Sequence, residues 1–239
     1  MHDQLPLVTV IFVIAIVGVA QAAGRWEMAV YVLSFWHYLV YALAFFWRRI
    51  PLQRFKRDAI LLKTISLTSL AFVFLAAQPN VYSVIVMALG FGLNILAAGK
   101  LGSDRTYYGF EVGAIPPERV TSFPYSVMSH PMLIGNIVAY SGMLLDGEFA
   151  KVWWPLALLH VFFNVQILLM EICGGKSRLL GTVWPLAGMA AGSVLLLAGF
   201  KDVWPFALAA IVIGLIFAAA LFSRYSASTH QTVLKENLS

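Results

Sequence analysis

Three polar residues interrupt an otherwise apolar stretch at spacings that place them on one helical face. His160 and Asn164 are four apart and Glu171 follows seven later, so at 100° per residue they fall within about 40° of one another. Trp153 begins the same stripe, and a carboxylate ends it. An acidic group at a helix C-terminus opposes the macrodipole and so needs a reason to be there. A second set lies in the segment 100–131, with Tyr107, Tyr108, Gly109, Phe110 and Glu111, then Arg119, Tyr125 and His130. Its basic residues (Lys100, Arg105, Arg119) equal its acidic ones (Asp104, Glu111, Glu118) in number. Aromatic faces attract cations, which suits a ligand bearing a sulfonium or ammonium group. Each residue also has a plainer reading. His160 and Asn164 suit interhelical hydrogen bonds, His130 a turn bonded to backbone, and Arg119 an ion pair with Glu118 or Glu111. The tyrosines suit anchorage at a membrane interface.

The elements that must position these groups are set by composition. The chain has 239 residues, 61% hydrophobic and 11% charged, against about 25% charged in an average soluble domain. At this size a water-soluble fold cannot bury so much apolar surface, so the bilayer must be part of the solvent. Apolar runs fall at 5–23, 29–47, 59–77, 81–99, 132–145, 152–170, 179–200 and 203–222. Most approach the roughly 20 residues that cross the hydrocarbon. The expectation is an all-α polytopic transmembrane bundle of about eight spans with a long cytoplasmic loop, 100–131. It divides into N-terminal helices (1–80), a core with that loop (81–178), and a C-terminal helix pair with tail (179–239). The short run 132–145 suits a half-span, a tilted helix or a re-entrant hairpin. Ala20-Gln21-Ala22 has the form of a signal-peptidase site, yet residues 1–4 hold no Lys or Arg and the run is long, so a retained span is expected.

Thirteen of the sixteen Lys and Arg residues fall on one side of an eight-span arrangement, the densest group being Arg48 to Arg57. The positive-inside rule then puts both termini, the loop 100–131 and Glu171 on the cytoplasmic face. The basic residues are clustered and the net charge is only +5, so nucleic acid is not expected as a partner. The one cysteine, Cys173, permits no internal disulfide or cysteine-based metal site. Gly90 and Gly92 point to different faces of a regular helix, so they serve different purposes or the helix is distorted; helix packing and ligand approach both remain open. Gly188-Met189-Ala190-Ala191-Gly192 reads as a packing motif.

Glu118-Arg119-Val120-Thr121-Ser122-Phe123-Pro124-Tyr125-Ser126-Val127, followed by His130-Pro131-Met132 and Gly135, resembles the core signature of the phospholipid N-methyltransferases. These include the phosphatidylethanolamine and phosphatidyl-N-methylethanolamine enzymes and are related to isoprenylcysteine carboxyl methyltransferase. Ala88-Leu89-Gly90-Phe91-Gly92 resembles the family's Gly-x-Gly segment, and Tyr107-Tyr108-Gly109 its aromatic-Gly step. The likeness covers roughly 81–172. There are three departures: Ile172 follows Glu171 where the family usually has a second glutamate, Leu133 replaces a tyrosine, and about two further spans follow the core.

The resemblance implies methyl transfer from S-adenosylmethionine to the amine of an ethanolamine-type membrane phospholipid. It implies cofactor contacts at Gly90, Gly92, His130, Pro131, Met132, Gly135 and Glu171. It implies lipid contacts at Tyr107, Tyr108, Arg119 and Tyr125, and catalytic roles for Glu171, His130 and Arg119. The planar fork of Arg119 suits a lipid phosphate or a cofactor carboxylate. No metal is implied. The bilayer is the obligatory partner, with the C-terminal helices an available oligomer surface. Other acceptors (a prenylcysteine carboxylate), a non-methylating isomerase- or reductase-like relative, and a small transporter are the competing readings.

Overall fold

The computed structural model describes residues 5–47 and 51–173, and all the regular structure among them is helical. In chain order the helices are α1 (Leu5–Ala22), α2 (Trp26–Trp47), α3 (Leu52–Ala76), α4 (Val81–Leu101), α5 (Ser103–Thr106), α6 (Pro131–Met143) and α7 (Gly147–Cys173). Among the described residues, α3, α4 and α7 are long and apolar enough to cross a membrane. The runs at 179–200 and 203–222, the Gly188–Gly192 motif and hence the total of eight spans lie outside the described residues.

The described residues fall in two compact units that divide within α3, between Ser69 and Leu70. In the first unit, Gly24 turns the chain between α1 and α2 with φ of 63°, a value glycine adopts without strain. Phe12 of α1 meets Trp36 of α2 edge to face at 5.2 Å, and the buried Ser66 hydroxyl of α3 donates to the Ser34 carbonyl of α2. Helix α3 begins at Leu52, seven residues ahead of its apolar run. Gln53, Arg54, Lys56 and Arg57 are good helix formers, so the helix outlasts the apolar segment, which marks bilayer depth and not the helix start.

The second unit is built on α4, α6 and α7. Ser83 Oγ donates to the Gly142 carbonyl at 2.8 Å, and Asn94 Nδ2 donates to the Met132 carbonyl at 2.9 Å. The start of α4 therefore meets the end of α6 and the reverse, so the two helices are antiparallel. Their backbones touch because glycine lines both surfaces. A Cβ on Gly90 would lie 2.5 Å from the Ala139 nitrogen and the Gly135 oxygen, and a Cβ on Gly135 would lie 2.5 Å from the Gly90 oxygen. Helix α6 has only 13 residues, about 20 Å at 1.5 Å per residue, which is short of the hydrocarbon thickness.

A polar clasp ties the helix ends opposite the loop. Asp146 Oδ1 accepts from the Phe149 amide at 2.7 Å, capping α7. Its Oδ2 accepts from the Asn80 amide at 2.9 Å. Asn80 in turn caps α4 by accepting from the Ser83 amide at 3.0 Å. These bonds hold the buried Asp146 carboxyl below its usual range, the Phe149 amide contributing most and Asn80 next. Helix α7 starts earlier than its apolar run for the same reason: the cap, not hydrophobicity, sets its beginning.

Candidate functional site

At the other end of the second unit, α4 stops at Gly102, whose φ is 81°. The chain then makes one turn of helix, α5, and a series of tight turns. Gly109 is required by close approach: a Cβ there would lie 2.6 Å from the Asp104 carbonyl oxygen. Arg105 pairs with Glu118 and so closes the segment between them. With Pro116, Pro117 and Pro124 breaking helical runs, the loop holds no helix longer than α5 among residues 102–130. A turn at 122–127 follows, held by the Ser126 amide on the Ser122 carbonyl at 3.2 Å and the Val127 amide on the Pro124 carbonyl at 3.1 Å. It buries Pro124 and leaves Tyr125 half-buried. Pro131 then opens α6 at its first position, where a missing N–H costs nothing.

This path brings His130, the residue before α6, to Glu171, in the last turn of α7. His130 Nδ1 and Glu171 Oε2 are 2.8 Å apart, with side chains 26% and 21% exposed. The pair is neither sealed nor bathed in water, as a site open to a ligand requires. An ionised carboxylate can only accept, so Nδ1 is the donor in this contact; in the neutral ring that tautomer leaves the lone pair on Nε2. Tyr125 is close enough to feel the same carboxylate: burial first, and Glu171 second, push its phenol up to about 12. Tyr125 therefore stays protonated at neutral pH. Residues 41 and 46 positions apart in sequence from Glu171 thus converge on one carboxylate at the loop end of the unit.

The remaining expected residues divide. Pro131 is buried and Met132 half-buried in the first turn of α6, beside the pair. Gly90 and Gly135 give their open faces to each other, whereas Gly92 has nothing within 4 Å of where a Cβ would stand. The two glycines of the Gly-x-Gly segment do serve different faces: one packs a helix and the other leaves a surface free. Arg119 is exposed, and Glu118 pairs with Arg105 instead of with it. Tyr107 is half-buried and Tyr108 buried. Deeper in α7, His160 stacks on Tyr140 at 4.5 Å, and Asn164 Nδ2 donates to the His160 carbonyl at 2.8 Å. For this part of the stripe the interhelical reading fits the geometry: Asn164 Oδ1 accepts from Asn136 Nδ2 of α6 at 3.0 Å.

Sequence reasoning passed over Asn136, the lone amide in the short run 132–145, and the Asn80–Asp146 clasp. The first was legible as a polar residue within an apolar run, which defaults to a functional candidate in a membrane. The second was not, since its partners are 66 residues apart.

Residues 80–172 match the family model described as phospholipid methyltransferase, bearing out the resemblance carried by the signature. The matched segment opens at the α4 cap, Asn80, and closes one residue beyond Glu171, so it coincides with the clasp, the loop and the pair. Over 64 residues the chain is 41% identical to phosphatidylethanolamine N-methyltransferase A of Dictyostelium discoideum, covering 26% of this chain and 30% of that protein. Over 85 residues it is 34% identical to phosphatidyl-N-methylethanolamine N-methyltransferase of Schizosaccharomyces pombe, covering 36% of this chain and 42% of the relative. The Saccharomyces cerevisiae protein of the same name is 37% identical over 62 residues, 26% of this chain and 30% of its own length. The chain thus spans between three and about four tenths of the curated relatives it matches. No solved structure matches it.

Proposed function

We propose that this chain is a membrane methyltransferase that moves a methyl group from S-adenosylmethionine to the amine of an ethanolamine-type phospholipid. The observation that carries the reading is the His130–Glu171 contact at 2.8 Å at the end of the segment that matches the family.

The residues at that end fit a cationic cofactor. Glu171 supplies the negative charge, Tyr125 an aromatic wall, and Gly92 a backbone surface with no side chain near it. His130, Pro131 and Met132 complete the set. S-adenosylmethionine, when bound, supplies an electrophilic methyl on a sulfonium. The protein's part is to orient, to exclude water and to manage one proton. A lipid ammonium must become an amine before it has a lone pair to offer. His130 Nε2 can take that proton, with the Glu171 carboxylate holding Nδ1–H and stabilising the imidazolium that forms. Arg119, exposed in the loop, is free to approach a lipid phosphate. Methyl transfer further requires nucleophile and methyl in line at about 3–3.5 Å, which the rigid turn before Pro131 helps to set.

The loop end is assigned to the cytoplasm, with both termini, on the strength of thirteen of sixteen basic residues sharing that side. S-adenosylmethionine is used from the cytosol, which suits this placement. Glu171→Gln tests the reading. Turnover is expected to fall at least 100-fold, with helix content and membrane insertion unchanged. Full activity in that variant would remove Glu171, and the proposed site with it.

A further inference from the structure

A chain of three side-chain amides crosses the second unit below the candidate site. Asn94 of α4 donates through Nδ2 to Asn136 Oδ1 of α6 at 3.0 Å as well as to the Met132 carbonyl. Asn136 donates to Asn164 Oδ1 of α7 at 3.0 Å, and Asn164 donates on to the His160 carbonyl. Every bond runs in the same donor-to-acceptor sense, from α4 toward α7, and Asn94 and Asn164 are buried.

We infer that this chain is a register device, and that Asn136 and Asn164 are positioning residues for the His130–Glu171 pair. Two hydrogen-bonded rungs join the antiparallel α6 and α7, beside the Tyr140–His160 ring stack. The upper rung is His130–Glu171; the lower is Asn136–Asn164. They are six residues apart along α6 and seven along α7, about 9 Å and about 10.5 Å. The spacings agree to within one residue's rise, so both rungs close in the same register. A slip of one residue turns each side chain by 100° and breaks both. Apolar helix surfaces in lipid supply no hydrophobic force to choose a register. Glycine contacts lock α6 to α4 through Gly90, Gly135 and Gly142. Among the described residues no glycine makes a comparable contact between α6 and α7; a ring stack such as Tyr140–His160 tolerates sliding, and the directional amide rung takes the glycines' place. Asn94 completes the device by holding the Met132 carbonyl, two residues beyond His130.

The inference concerns the pair and holds whatever the acceptor; only its kinetic part rests on the methyl-transfer reading. The test uses the full chain reconstituted in lipid, with Cys173→Ser removing the one native thiol. In that background His130→Cys with Glu171→Cys is linked by a short bis-methanethiosulfonate reagent, each thiolate displacing methanesulfinate, and the rate is compared with and without Asn136→Leu/Asn164→Leu. Replacing both partners by apolar groups leaves no orphaned amide within that rung, and Asn94 keeps its bond to the Met132 carbonyl, so the variant is expected to stay folded, with a thermal midpoint lowered only by the lost Asn94–Asn136 bond, while linking slows at least tenfold. Asn136→Gln, which keeps the amide but lengthens its arm, is the second variant and is expected to slow linking by a smaller factor. Unchanged linking in a folded variant of either kind overturns the inference. With the native pair present, turnover is expected to fall in Asn136→Leu/Asn164→Leu, and Glu171→Gln to add little more. Fully additive losses overturn it as well, since a merely structural role acts independently of the pair. Loss of transfer from the parent chain, with linking still dependent on the rung, would sink the methyl-transfer reading alone.

Discussion

Gly135→Ala should separate the helices on which the site is built. The added Cβ would stand 2.5 Å from the Gly90 oxygen and 2.9 Å from the Asn94 nitrogen. Both are backbone atoms, so no side chain can swing aside. Ordinary contact begins near 3.4 Å, and α4 and α6 must part by roughly 0.5–0.9 Å to reach it. The Asn94 bond to the Met132 carbonyl, now 2.9 Å, is then stretched past useful length at a cost of about 1 kcal/mol. Overpacking adds about 1–3 kcal/mol, and alanine's helix propensity returns about 1 kcal/mol. The net expectation is destabilisation by about 1–3 kcal/mol, with His130 displaced and turnover lowered about tenfold. Gly92→Ala is the control, because nothing lies within 4 Å of its Cβ position. It should leave stability unchanged or raise it by up to about 1 kcal/mol, while raising KM for the methyl donor if its open face meets the cofactor. Unfolding followed by circular dichroism in a mild detergent reads the stability of both. The packing argument fails if Gly135→Ala is as stable as the parent, or if Gly92→Ala is equally damaging.

Other perturbations follow from the same geometry. Asp146→Ala removes the α7 cap and the acceptor for Asn80, and should cost about 2–3 kcal/mol in the same unfolding assay. Because the Asp146 carboxyl is held below its usual range, its contribution is present above about pH 4 and lost as pH falls through the folded-state value; Asp146→Asn should flatten that acid limb. Tyr125, raised to about 12, should show no phenolate absorbance near pH 10 in a difference titration against Tyr125→Phe. Its contribution to stability is fully present below about pH 10 and lost as pH rises toward 12, and Glu171→Gln should lower its titration point. Arg119→Gln alters an exposed side chain and should change stability by less than about 0.5 kcal/mol while raising KM for the lipid; an unchanged KM would take Arg119 out of the lipid site.

The helices were legible because long apolar segments advertise themselves by composition: α1, α2, α3, α4, α6 and α7 all overlap their apolar runs. Their ends were not, because caps and helix-forming charged residues set them. Asp146 starts α7 five residues before its run, and Arg54 to Arg57 lie inside α3. In the candidate site, Glu171 and His130 could be singled out by chemistry, and Tyr125 by its signature. That the first two meet at 2.8 Å depends on the antiparallel return of α6 and α7, which no local pattern encodes. The stripe on α7 has two kinds of partner: Glu171 meets His130 ahead of α6, while Asn164 and His160 meet Asn136 and Tyr140 within α6. Gly90 and Gly135 show the same limit. A glycine permits close approach, but only the fold says whether a ligand or a helix takes up the space.

The reaction itself is the most direct test. Purified full-length protein in lipid would be given S-adenosylmethionine labelled in its methyl group, with phosphatidylethanolamine or its monomethyl or dimethyl derivative as acceptor. Label should enter the headgroup of at least one of these lipids, and Glu171→Gln should slow its entry at least 100-fold. Folded protein that transfers no label to any of the three would contradict the proposed function.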